Sequence, residues 1–113
     1  MLTGKAKEDF EKWYIPLIRK REDIQDRYWD ENLLSMIYRS GDIVLNAFFL
    51  EWFDSVGIYI QNWCSSAGID RPEFDSEVFY KKKQHTYNDF FKTRQESLKW
   101  AIEKANEIYN QQL

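Results

Sequence analysis

"EVFYKKKQHTYNDFFKT", residues 77–93, accepts two readings that lead to different folds. With a period of two, "EVFYKKKQ" and "YNDFFKT" are strands joined around His85-Thr86. With a helical period, Phe79, Lys83, Tyr87, Phe90, Phe91 and Arg94 share a side. No Gly or Pro follows Pro72, so residues 72–112 would then form one long helix or two. Thr93 and Glu96 weigh against the helix. In "TRQE" they make a capping box, each side chain satisfying a free backbone donor, and a cap marks a helix start in mid-run. Strands followed by a helix are therefore expected, with an all-α bundle as the alternative.

Beyond the cap, Leu98, Ala101, Ile102, Ala105, Ile108 and Tyr109 recur at helical spacing and give the last helix one apolar face. Trp100 sits about 200° from Leu98, on the side carrying Glu96, Glu103, Lys104 and Glu107. Either the N-terminal helices cover it, with Trp13 and Tyr14 as a second layer, or it is an exposed aromatic anchor of the kind that dominates interfaces.

Before the disputed stretch, "SSAGIDRPEFDS" reads as a loop. "IYIQNWC" alternates as a strand, with Ile58, Ile60 and Asn62 on one face and Tyr59, Gln61 and Trp63 on the other. Tyr59 and Trp63 are binding candidates if the helices leave their face bare. "IVLNAFFLEWFDSVG" is apolar nearly all round, as a central helix is; Asp42 is placed to cap it and Gly57 to end it. "DENLLSMIYRSGD" predicts a shorter helix closed at Ser40-Gly41-Asp42. "TGKAKEDFEKWY" predicts an opening helix capped by Thr3. Pro16 should stop or kink it near Tyr14, with a second piece running through "LIRKREDIQDRYW". The sum is a single α+β domain, residues 1–113: N-terminal helices, a small antiparallel sheet of about three strands, and a C-terminal helix packed on it.

Composition limits the function classes. At 113 residues, 43% of them hydrophobic, the chain has material for one core. The net charge of −3 provides no global basic field to attract nucleic acid. The acid excess lies in residues 1–57, with eleven Asp/Glu against eight Lys/Arg; residues 58–113 hold eight of each. "MLTGKAKEDF" lacks the apolar stretch of a signal peptide, and the apolar runs fall well short of the ~20 residues that span a bilayer. A cytosolic chain without a membrane partner is expected.

Enzyme chemistry finds little to stand on. No two of the four glycines have a phosphate-loop spacing. Cys64 and His85 are single copies, so they complete no Cys/His metal set, and no third group orients them as a nucleophile pair. Cys64 reads as a small buried hydrophobe and His85 as a turn residue. No Asp or Glu has a Lys two positions on, the spacing common in metal-dependent nucleases. Asp70, Glu73 and Asp75 are better explained as turn and capping acids than as a magnesium site. No catalytic residue, metal or cofactor is expected, and no small-molecule substrate.

Binding surfaces remain. Arg19-Lys20-Arg21 is followed by Glu22-Asp23 and reads as locally paired. Lys81, Lys82 and Lys83 have no adjacent acid and are flanked by Tyr80, His85 and Tyr87. That pattern suits RNA contact, and equally a charged edge strand that resists aggregation.

Three segments, "LTGKAKEDFEKWY", "WFDSVGI" and "FKTRQESLKWAIEKANEIYN", resemble short proteins encoded by phages and prophages of Bacteroidetes bacteria. Residues 16–44 and 62–88 have no counterpart in the resemblance. It implies a strand running into the final helix, a mobile-element accessory protein in the bacterial host cytoplasm, and no catalytic residues. Small acidic proteins from such settings are often inhibitors of host defence, anti-CRISPR proteins included. The expected function is non-enzymatic binding that blocks a host protein or ribonucleoprotein, a CRISPR-Cas effector being the sharpest form. Trp100, Tyr59, Trp63, Glu96 and Glu103 are the candidate contacts. The alternatives are an RNA-binding accessory protein using Lys81–Lys83, or an oligomeric phage component.

Overall fold

The computed structural model describes residues 1–21, 28–65, 72–87 and 89–112. The order is α1 (Gly4–Arg21), α2 (Asp30–Tyr38), α3 (Asp42–Ser55), β1 (Tyr59–Ser65), β2 (Glu73–Tyr80), β3 (Lys83–Thr86) and α4 (Arg94–Asn110). The three strands form one antiparallel sheet in the order β1-β2-β3, and α4 packs on it. This is the expected α+β arrangement, and the all-α alternative fails.

The details move the strands. β2 starts at Glu73, inside the stretch read as loop, and β3 ends at Thr86, before the residues read as the third strand. The turn lies at Lys81-Lys82, not at His85-Thr86. Tyr80 pairs with Lys83, and the two lysines between them have φ of 48° and 67°. A two-residue hairpin needs this left-handed backbone because it matches the strand twist. Asn-Gly usually supplies it; here two lysines do, at a cost of about 1–2 kcal/mol each. Of the described residues in 87–92, only Phe91 pairs with the sheet, exchanging two 2.9 Å backbone bonds with Phe74. Continuing the β2–β3 register would put Asp89 there, so the pairing slips by two residues, a bulge, between Thr86 and Phe91.

The helices follow the pattern with two amendments. α1 runs unbroken through Pro16. An interior proline removes one backbone bond, but Trp13, Ile15 and Ile18 pack against the core on both sides of it and hold the helix together. The continuation through residues 22–27 lies outside the described residues. Gly41, not Asp42, is the α3 cap residue, and Asp42 occupies the first turn, where its charge suits the helix dipole.

The core gathers Phe10 and Tyr14 of α1, Phe49, Trp52 and Phe53 of α3, and Ile58 and Val78 at the sheet. From α4 it takes Ala101, Ile102, Ala105 and Ile108. Phe10 meets the Phe49 ring edge-on at 4.9 Å. Ser97, Ala101 and Ala105 are wholly buried along one stripe of α4, where small side chains let the sheet approach closely. The Thr93 hydroxyl accepts from Glu96 N at 3.1 Å, so the Thr93 half of the capping box starts α4 as expected.

The start of α1 is capped from the other end of the chain. The Asn110 side chain accepts from Ala6 N at 2.8 Å and donates to the Thr3 carbonyl at 3.0 Å. The Thr3 hydroxyl accepts from Asn106 Nδ2 at 3.0 Å instead of from its own helix. Gly4 has φ +58°, a left-handed backbone that favours glycine, while a Cβ there would meet Asn110 only at ordinary contact distance. One turn further on, the Tyr109 hydroxyl donates to Asp9, which also takes the Lys5 ammonium at 2.9 Å.

That link sets a pH window. The Tyr109 hydroxyl, and then Lys5, hold the Asp9 carboxyl below its ordinary range; burial and Asp9 push the Tyr109 phenol up to about 12. The Asp9 contribution is complete above the ordinary carboxylate pKa and lost as pH falls through the lowered value. The Tyr109 contribution is complete below the ordinary phenol pKa and lost as pH rises towards the raised one. Tyr109→Phe should therefore cost about 1–2 kcal/mol. The loss should be largest between roughly pH 5 and 9 and shrink on either side, as urea denaturation across pH will show.

Candidate functional site

Among the described residues, only one face of the sheet is covered. Asn62 Nδ2 donates to Ser76 Oγ (2.8 Å) and Ser97 Oγ (3.1 Å), the two hydroxyls lie 2.7 Å apart, and Val78 is fully buried beside them. The inner face therefore carries Ile60, Asn62, Ser76 and Val78, with α4 against it. Strand alternation sends the remaining side chains outward. Apart from the strands themselves, only α3 and α4 touch the sheet among the described residues. The molecule measures 51 × 33 × 19 Å, and its short dimension holds two layers of about 10 Å and no third.

The outer face carries Tyr59, Gln61 and Trp63 from β1, Glu73, Asp75, Glu77 and Phe79 from β2, and Gln84 and Thr86 from β3. Tyr59 lies directly opposite Phe79, Gln61 opposite Glu77 and Trp63 opposite Asp75. Tyr59 is 54% exposed, and Trp63 and Phe79 are half-buried. Three aromatics thus frame a row of three carboxylates, with no Lys or Arg on the same face among the described residues. Carboxylates two apart on a strand lie about 7 Å from each other, within the screening length, so the row holds unneutralised negative potential.

The sequence candidates do not converge on one site. Tyr59 and Trp63 share the bare sheet face, as alternation suggested. Glu96 and Glu103 are simply exposed on α4. Trp100 is neither a free anchor nor covered by the N-terminal helices. It is half-buried, its ring 5.6 Å from Tyr87 and 6.4 Å from Phe91, which themselves stack at 4.5 Å. The returning chain after β3 is its cover.

The basic group also divides. Lys81, Lys82 and Lys83 are exposed at the hairpin, with Lys81 Nζ 5.2 Å from the Tyr80 ring. His85 is half-buried in β3, not in a turn. Together with Tyr87 it lines an open cleft whose other wall is Trp100, Lys104 and Glu107. Cys64 is exposed, where a buried thiol was expected. Glu73 and Asp75 are strand residues of the outer face; Asp70 lies outside the described residues. Among the described residues no group of His, Cys, Asp and Glu is arranged to hold a metal.

Phe79 and the Glu73-Asp75-Glu77 row escaped sequence reasoning, although their alternation is visible once β2 is started at Glu73. Also missed was an apolar surface on the α2–α3 pair: Trp29 is 79% exposed, and Met36, Ile43 and Val44 are exposed with it. Val44 was read as core but is exposed beside Ile43, while Leu45 of the same turn is buried in the core. Among the described residues, no single helix is long and apolar enough to cross a membrane. Compared with known proteins, the chain matches no protein family, no curated protein and no solved structure.

Trp100→Ala should cost about 1–2 kcal/mol, the worth of aromatic contacts with partial burial. A denaturation loss of core size, ~3 kcal/mol or more, would place the ring deeper than its stack. No loss would mean that the Tyr87–Phe91 cover does not form.

Proposed function

We propose that this chain is a non-catalytic binding protein that docks its bare sheet face on a basic surface of a host protein or ribonucleoprotein and blocks it by occupancy. The observation that carries the reading is Tyr59, Trp63 and Phe79 alongside Glu73, Asp75 and Glu77 on a face that no element covers among the described residues. Rings offer large contact area at low entropic cost, and Trp and Tyr faces attract Arg and Lys heads. The carboxylate row would steer a positive partner into register. Nucleic-acid-handling effectors present such positive channels. The resemblance to phage and prophage proteins supports the sharper form, an inhibitor of a CRISPR-Cas effector or another defence complex in the bacterial host cytoplasm.

One observation favours a second reading, RNA binding through the hairpin. Lys81 and Lys82 both hold left-handed backbone that Asn-Gly would adopt with less strain. Keeping two cations at that tip has a stability cost, and strained positions cluster at functional sites.

Affinity purification of the tagged protein from a native host, with and without nuclease, separates the two. The docking reading expects a protein partner that survives nuclease. Trp63→Ala or Tyr59→Ala should weaken it by ~2 kcal/mol or more, and replacing Glu73, Asp75 and Glu77 together by Lys should abolish it. Changing Lys81, Lys82 and Lys83 together to Glu should leave it intact. A partner released by nuclease, lost in the triple Lys variant and indifferent to the sheet face would overturn docking in favour of RNA.

A further inference from the structure

The two edges of the sheet are built differently. β3 is short and carries Lys83, and the chain bulges away beyond it. Such devices discourage strand addition. β1 has seven residues, Tyr59–Ser65, and contains no charge, proline or glycine. Among the described residues no such device guards its outer edge.

Which of its backbone groups are free follows from the hydrogen bonds. Phe74 exchanges both of its backbone bonds with Phe91, so they point away from β1. Its partner Cys64 must then direct its own N–H and C=O to the free edge, and by alternation so must Asn62 and Ile60. Ile58 N agrees with this phase: it points away from β2 and donates to the Phe53 carbonyl at 2.9 Å, so the end of α3 closes the edge there. Ile60, Asn62 and Cys64 are left. Among the described residues none of their backbone groups has a partner.

We propose that this edge pairs with the same edge of a second copy, antiparallel about a twofold axis at Asn62. Three free residues centred on Asn62 are self-complementary: Ile60 faces Cys64 of the second copy, Asn62 faces Asn62, and every free N–H and C=O on the edge is satisfied. Other even-numbered registers leave some of these groups unpaired or run the incoming strand toward the end of α3. On the inner side the exposed Cys64 is covered by an Ile60. On the outer side Trp63 stands opposite Gln61 of the second copy and diagonal to its Tyr59, within reach of an aromatic side chain. The result is a six-stranded sheet that doubles the aromatic and acidic face. The assembly uses backbone groups of β1 and does not depend on what that face binds.

Sedimentation equilibrium of the full chain, alongside amide exchange, tests this. Wild type should sediment as a dimer. The Ile60, Asn62 and Cys64 amides should exchange about ten-fold or more slower at high than at low protein concentration. Those of Tyr59, Gln61 and Trp63, bonded to β2, should be slow at both. Cys64→Pro removes one edge N–H while leaving the β1–β2 ladder intact, since proline is tolerated where its nitrogen faces outward. It should be a monomer with unchanged circular dichroism. If that variant does not fold, the exchange pattern of wild type decides alone. A wild-type monomer from micromolar to millimolar concentration overturns the proposal. So does a dimer whose three edge amides exchange freely, or one that persists in folded Cys64→Pro.

Discussion

The Asn62–Ser76–Ser97 knot decides which face of the sheet is buried, and the outward surface follows from it. Ser76 and Ser97 are fully buried, and their hydroxyls are satisfied only if α4 sits at one rotation and one height over β1 and β2. Sliding α4 by a turn would strand polar groups at about 1–3 kcal/mol each. Arg94 closes the arrangement, donating to Asn62 Oδ1 at 2.8 Å while its guanidinium lies 5.0 Å from the Phe74 ring. Apolar packing of Ala101 and Ala105 supplies adhesion between helix and sheet, but adhesion tolerates slippage and the knot does not. With α4 held there, α1 and α3 packed beside it and α2 against those two, no helix among the described residues lies on the other face of the sheet.

The fold was most legible where local chemistry and tertiary structure agree. Thr93 caps α4, Gly57 follows α3 with φ of 81°, and the alternation of "IYIQNWC" survives as β1. Legibility failed where the tertiary structure imposes a conformation that the residues do not prefer. No Gly or Asn announces the hairpin at Lys81-Lys82, so the sequence pattern places the turn four residues too late, around His85-Thr86. Placing it there pushed the expected third strand beyond Thr86. Pro16 is the mirror case, a strong breaker overruled by packing on both sides. Thr3 was correctly seen as a group at the start of α1, but its hydroxyl is claimed by Asn106, more than a hundred positions away.

The candidate site was half legible for the same reason. Tyr59 and Trp63 follow from β1 alone, without knowledge of its partner. Phe79 and the three acids require the β1–β2 register, and that depends on a loop whose length the sequence does not disclose. Helical arithmetic set Trp100 opposite Leu98, but the buried stripe runs through Ser97, Ala101, Ala105 and Ile108, and Trp100 flanks it, half-buried against the core. The arithmetic gave no account of the cover, because Tyr87 and Phe91 reach Trp100 only through the bulge that breaks the β3 ladder. A ring off the main stripe signals either an interface or a second strip of intramolecular packing, and the helix alone does not separate them.

Charge adds the last step. The β2–β3 hairpin carries its acids on the outward face of β2 and its exposed lysines at the tip, so one short element is negative along its length and positive at its end. A partner with a uniform positive field meets the face favourably and the tip unfavourably. It is therefore oriented with the tip outside the contact, which is how like-charge repulsion selects among docking geometries. The strained Lys81-Lys82 turn then has a use even where it touches nothing. In the docking proposed above it would set the direction from which a basic surface approaches Tyr59, Trp63 and Phe79, and the uncharged β1 edge would be left for another strand.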